Sequence, residues 1–176
     1  MLEIEYEFRE EDLIHFNEMR FKQTEEYQSQ VKKNRWIVPG VMMLIGSFYY
    51  YYYGDFNSAG YIFVVAFLWA WLSPRIILLN VGRQILKTYS YKERKNMFGT
   101  YVLTIDPANP NFLHEKSPSG KNKMAWSELI RVDYAKGYVY IYIDIGTALV
   151  IPEATLKRGD LPAFAKQVEK MIERLG

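Results

Sequence analysis

The chain has 176 residues, no cysteine and two histidines, which excludes a disulfide framework and thiolate chemistry and makes a zinc or iron centre unexpected. A net charge of +2 with 24% charged residues would suit an ordinary soluble domain. These averages conceal two uncharged stretches, Trp36 to Gly54 and Phe56 to Pro74, of 19 residues each.

The chain opens on a period-2 pattern, Leu2, Ile4, Tyr6 and Phe8 against Glu3, Glu5 and Glu7, which predicts a strand with one buried face. A single strand has no independent stability, so it is expected to join a sheet formed further along. The acidic start, continued by Glu10, Glu11 and Asp12, lacks the basic region and apolar core of a cleavable signal peptide. Insertion into a membrane is therefore expected to be directed by the internal apolar runs. From about Glu10 to Lys33 the pattern predicts a helix, acidic in its first turn and basic at its end, as the helix dipole favours. Its apolar stripe is ragged.

At about 1.5 Å per helical residue, each uncharged run nearly spans the ~30 Å hydrocarbon core of a bilayer, and together they predict a transmembrane hairpin over residues 36–81. Trp36 and the block Tyr49 to Tyr53 mark the two ends of the first helix, and Trp69 and Trp71 the far end of the second. Pro39 falls in a first helical turn, where its missing N–H costs little. Pro74 is expected to bend the second helix, with Ile76 to Val81 continuing along the surface. A buried hairpin of a soluble protein is the competing reading, but the 35 residues before and 95 after offer too little chain to cover it. Lys32, Lys33 and Arg35 precede the hairpin and Arg75 and Arg83 follow it, whereas the turn carries only Asp55. The positive-inside rule then places both termini in the cytoplasm. Within the spans no Asp, Glu, Lys, Arg or His precedes Arg75, so a channel or proton relay is not expected.

Residues 82–98 predict a basic juxtamembrane helix bearing Arg83, Lys87, Lys92, Arg94 and Lys95, all candidate contacts for the headgroups of an anionic inner leaflet. Short strands follow: Tyr101 to Asp106, Asn111 to Glu115, a polar loop from Lys116 to Asn122, then Lys123 to Trp126, Leu129 to Tyr134, Tyr138 to Ile143 and Ala148 to Ile151. Lys116, Lys121 and Lys123 are further candidate headgroup contacts. Ser119, Gly120 and Lys121 lack the upstream glycine and following hydroxyl of a phosphate-binding loop. Tyr138, Tyr140 and Tyr142 share one strand face, which cross-strand packing or a candidate protein-contact surface explains; too few Arg and Lys accompany them for nucleic acid. Asp160 is a candidate N-cap for a last helix whose Leu161, Phe164, Val168, Met171 and Leu175 recur at helical spacing.

The expected fold class is an α+β membrane protein: a two-helix transmembrane hairpin plus a cytoplasmic antiparallel sheet, joined by the N-terminal strand and capped by the C-terminal helix. Its parts are a cytoplasmic strand and helix (1–35), the hairpin (36–81), the basic helix (82–98) and the sheet domain (99–176). The sheet arrangement resembles the pleckstrin-homology-like architecture. With the segment Met124-Ala125-Trp126-Ser127-Glu128-Leu129-Ile130 and the run Ala148 to Pro152, the whole chain resembles the YcxB-like family of small bacterial membrane proteins.

That resemblance implies a bacterial membrane protein, multi-pass if both apolar runs span, and leaves the activity open; the residues themselves offer no catalytic set, cofactor motif or metal-ligand cluster, so none is expected. The expected function is non-enzymatic binding of a protein or lipid partner by the cytoplasmic domain, with self-protection or immunity as the specific form that analogy of layout suggests. The expected partners are the anionic inner leaflet and an unidentified protein, without nucleic acid. Two alternatives are a membrane enzyme acting on lipid, with Asp106, Asp133 or Asp144 as acid-base groups, and a homo-oligomeric structural subunit.

Overall fold

The computed structural model describes Leu2–Gly176, and its contacts divide the chain into two units, residues 17–88 and the segments 1–16 and 89–176. The boundary falls inside one helix, after Phe16.

The sheet unit begins with β1 (Leu2–Phe8), whose Ile4, Tyr6 and Phe8 are buried as the alternation requires. Helix α1 (Glu10–Lys22) follows, and its residues up to Phe16 belong to this unit. The helical segment expected over 10–33 is interrupted: Thr24 accepts the Tyr27 N–H and caps a second helix, α2 (Glu25–Lys32). Residues 17–88 are thus inserted in sequence between β1 and the remaining strands.

Those strands are β2 (Gly99–Ile105), β3 (Phe112–Ser117), β4 (Gly120–Ala125), β5 (Arg131–Ala135), β6 (Tyr138–Tyr142), β7 (Ala148–Pro152) and the short β8 (Leu156–Arg158). All pairings are antiparallel and form two sheets, ordered β4-β3-β2-β1-β8 and β5-β6-β7. The N-terminal strand therefore joins the sheet as expected, but in an interior position between β2 and β8. Trp126 lies in a 3-10 turn (Trp126–Glu128) that ends β4, where its Nε1 donates to the Pro110 carbonyl at 2.6 Å. The tryptophan motif is thus a buried clasp on the β2–β3 connection. Helix α6 (Leu161–Leu175), capped by Asp160, packs against β5, β1 and this turn and fully buries Phe164, Ala165 and Val168.

In the helical unit a π-helical turn (Lys33–Ile37) follows α2 and leads into α3 (Val38–Tyr53), with right-handed helical backbone at each junction. Gly54 ends α3 at φ +67°, a left-handed conformation that glycine adopts without a Cβ clash. Asp55 then accepts the backbone N–H and hydroxyl of Ser58 at the start of α4 (Phe56–Thr88). Helix α4 is the one described helix that is long and apolar enough by itself to cross a membrane. It runs unbroken through Pro74 and carries Arg83 and Lys87 in its last turns. The basic helix expected over 82–98 is consequently two: Ser90 and Glu93 form a reciprocal capping box that starts a separate α5 (Tyr91–Met97) in the sheet unit.

The α3–α4 seam is built from small residues. Ala59, Ala66 and Ser73 recur every seven positions on α4 and are buried, as are Pro39 and Gly46 on α3. Such spacing lets antiparallel backbones approach closely.

Candidate functional site

Strand alternation places Val102, Thr104, His114, Lys116, Lys121 and Lys123 on the outer face of the five-stranded sheet. Register makes two rows of them: Val102, Lys116 and Lys121 stand across from one another, and Thr104, His114 and Lys123 form the next row. They line a cavity of about 380 Å³. The loop expected over Lys116 to Asn122 is instead a tight hairpin in which only Pro118 and Ser119 lie outside the strands, because Ser117 pairs with Gly120. This closure brings Lys116 opposite Lys121.

Charge is segregated across the face. Glu3 and Glu7 of β1 pair with Arg158 at 3.5 Å and Lys157 at 3.3 Å, and Glu3 also accepts from the Thr104 hydroxyl. Lys116, Lys121 and Lys123, by contrast, have no carboxylate within ion-pair distance among the described residues. His114 Nε2 is buried without a hydrogen-bond partner. Asp106 reaches the cavity rim, where it accepts the Ala108 N–H at 2.9 Å. Glu115 alternates toward the opposite face; burial raises its carboxyl pKa, and hydrogen bonds from Asn122 and Ser117 partly offset that.

The other basic candidates lie elsewhere. Lys92 and Lys95 are exposed on α5, whereas Arg94 is engaged with Glu10 at 3.3 Å. Arg83 and Lys87 belong to α4 in the other unit.

The tyrosine face requires a correction. Tyr138, Tyr140 and Tyr142 do share a face, but Tyr140 and Tyr142 are only 1% and 6% exposed, because the first half of α1 covers them. Phe16 contacts both rings, and His15 stacks on Tyr138 with centroids 4.5 Å apart. Tyr140 and Tyr142 are internal packing groups with Tyr138 half-buried beside them, and the alternation that aligned them gave no sign of the covering helix.

Asp12 is the buried group the sequence did not single out. It is fully buried and accepts from the Arg9 backbone N–H at 2.9 Å, the Arg9 guanidinium through two nitrogens, and the Tyr138 hydroxyl at 3.0 Å. Its position three residues after Arg9, in the first turn of α1, is the available signal. Burial and then the Asp12 contact push the Tyr138 hydroxyl up to about 12.

The three aspartates considered for acid-base work are each occupied locally. Asp133 accepts from Arg131 at 3.1 Å, Asp144 accepts the Ile145 N–H at 2.6 Å, and Asp106 closes its own turn. They stand on β5, on the β6–β7 connection and after β2. Among the described residues no group of three or more His, Cys, Asp or Glu is placed to hold a metal ion.

Residues 108–168 match the family model described as YcxB-like protein, a segment running from before β3 into α6, and the resemblance read in the sequence is borne out there. No curated protein and no solved structure gives a significant match.

Proposed function

We propose, from the premise of a YcxB-like segment, that the chain is a membrane-anchored, non-enzymatic protein of the bacterial cell membrane. Helices α3 and α4 form its hairpin anchor, and the cytoplasmic sheet unit binds a protein or lipid partner. The observation carrying this reading is the apolar exterior of the hairpin: Leu44, Tyr51, Phe56, Tyr61 and Phe67, among many others, are exposed, while the buried positions are small. In water such a surface would be a severe aggregation liability; against lipid tails it is the expected exterior. Helix α3 has 16 residues, and the π turn preceding it supplies further apolar helical length through Trp36 and Ile37. At about 50 Å, α4 exceeds the ~30 Å core and extends beyond it. The Arg75 guanidinium lies 5.4 Å from the Trp71 ring centroid, an arrangement suited to the headgroup region.

Two antiparallel sheets ordered β4-β3-β2-β1-β8 and β5-β6-β7 with a packed terminal helix support the pleckstrin-homology-like reading of the recognition unit. Its lysine-bearing face, with Lys116, Lys121 and Lys123 outside ion-pair distance of any carboxylate among the described residues, is a surface suited to such recognition. Self-protection against a membrane-active agent is the specific role this layout suggests by analogy.

The test uses the cysteine-free background. Cysteines placed at Asn57 and Ser119 are treated with a membrane-impermeant maleimide in intact cells. Labelling at 57 alone is expected, with 119 reacting only after permeabilisation; labelling of 119 from outside overturns the orientation. Crosslinking in native membranes with mass spectrometry is expected to capture a distinct protein or lipid. Self-adducts alone would favour a homo-oligomeric structural subunit instead.

A further inference from the structure

We propose that the outer face of β2, β3 and β4 is a binding site for a phosphoryl anion, held by Lys116, Lys121 and Lys123 with His114 and Thr104 at its floor. The inference rests on reading the sheet unit as the recognition part of the molecule, and it names the chemistry recognised there.

Three features converge on one cavity of about 380 Å³. Lys116 and Lys121 are directly opposed across an antiparallel pair, an arrangement that repels when no anion lies between them. The face has carboxylates within reach of neutral or basic partners at β1, yet none is within ion-pair distance of the three ammonium groups. His114 Nε2 has lost its water without gaining a protein partner, and such orphaned polar atoms mark places where a ligand completes the hydrogen bonding.

Edge strands often carry lysine simply to discourage pairing with another chain. That explanation covers Lys121 and Lys123 on β4, but β3 lies inside the sheet, and Lys116 and His114 stand on it. A phosphoryl group suits the site because its several oxygens can accept from the ammonium groups and an imidazole N–H together, while the Thr104 hydroxyl already donates to Glu3. Asp106 at the cavity rim and Glu3 beside Thr104 limit the negative charge accommodated, which favours a single phosphoryl group over a polyphosphate.

The two sources of such a group, free phosphate esters and lipid headgroups, are separable on the full chain. The protein in a non-ionic maltoside detergent is titrated with inorganic phosphate while the ring proton signals of its two histidines are followed by NMR. The His114 signals are expected to move saturably while those of His15, stacked on Tyr138, do not. The K116Q/K121Q variant should weaken the response about tenfold or more, as loss of charge-assisted contacts implies. These lysines are exposed, and unchanged thermal unfolding of the variant establishes that its fold is retained. In nanodiscs, displacement by phosphatidic acid without added phosphate assigns a headgroup; displacement only on adding phosphate or glycerol phosphate assigns a soluble ester. An equal response to chloride at matched ionic strength, an unweakened response in the variant, or no response overturns the site. None of these results alters the outcome of the crosslinking test, so failure of the site and failure of the recognition reading remain distinguishable.

Discussion

The Tyr138 hydroxyl donates to Asp12 Oδ1 at 3.0 Å across 126 positions of sequence, fastening the first turn of α1 to the strand whose tyrosines that helix covers. The Arg9 backbone and guanidinium complete the shell, so a fully buried carboxylate is balanced on every side. Because the paired arrangement is satisfied, its cost appears only when one member is removed.

Replacing Asp12 by Ala is therefore expected to destabilise the sheet unit by about 2–4 kcal/mol, and Tyr138→Phe by about 1 kcal/mol. Hydrogen exchange of the full chain should show faster exchange in β6 and the start of α1 in both variants. Unchanged protection in D12A would contradict the role assigned to this carboxylate.

Alkaline stability should depend on the same tyrosine. Burial raises the hydroxyls of Tyr101, Tyr138 and Tyr140 from 10.0 to about 12, with charge contacts adding to the shift. A group that holds its proton more tightly when folded contributes stability in full below the unfolded value of 10.0, and the contribution is lost as pH rises toward about 12. Thermal unfolding followed from pH 9 to 12 should fall less steeply in Y138F than in the wild type, because that variant has one fewer raised group.

Close approach of α3 and α4 depends on Gly46. A Cβ there would sit 2.9 Å from Phe63 Cε1 and 3.2 Å from Ile62 Cγ2. Gly46→Ala is absorbed by a small shift of the Phe63 ring, whereas Gly46→Leu separates the helices at a cost of about 1–3 kcal/mol. Tryptophan fluorescence during thermal unfolding in detergent should rank wild type and G46A above G46L.

At Gly159, φ is +96° and a Cβ would collide with the Glu3 carbonyl oxygen. Gly159→Ala is expected to cost about 3 kcal/mol and to detach β8 from β1. Gly137→Ala supplies the comparison: its φ is +80° but a Cβ there meets nothing, so only backbone strain of about 1 kcal/mol is expected. Equal loss in the two variants, measured by denaturant titration, would refute the steric part of the account.

Much of this molecule is written in local pattern. Alternation in residues 2–8 identifies β1 as a strand with one buried face, and the helical spacing of Leu161, Phe164 and Val168 identifies the face of α6 that is buried. Local signals were less decisive at boundaries. Pro74 was compatible with a continuing helix, and the capping pair Ser90 and Glu93 divides a basic stretch that composition alone reads as one helix.

What the sequence determined by itself is therefore the uncharged character of the two runs, the period of each element and the α+β class, since these depend on neighbours a few residues apart. Tertiary structure decided which surfaces remain available. It buried the tyrosine face beneath Phe16 and placed Asp12 within reach of Tyr138. It also set Lys116 against Lys121 beside His114, whose buried Nε2 has no hydrogen-bond partner. Those outcomes depend on hairpin register and on a helix packing against a strand more than a hundred residues away, neither of which a local period records.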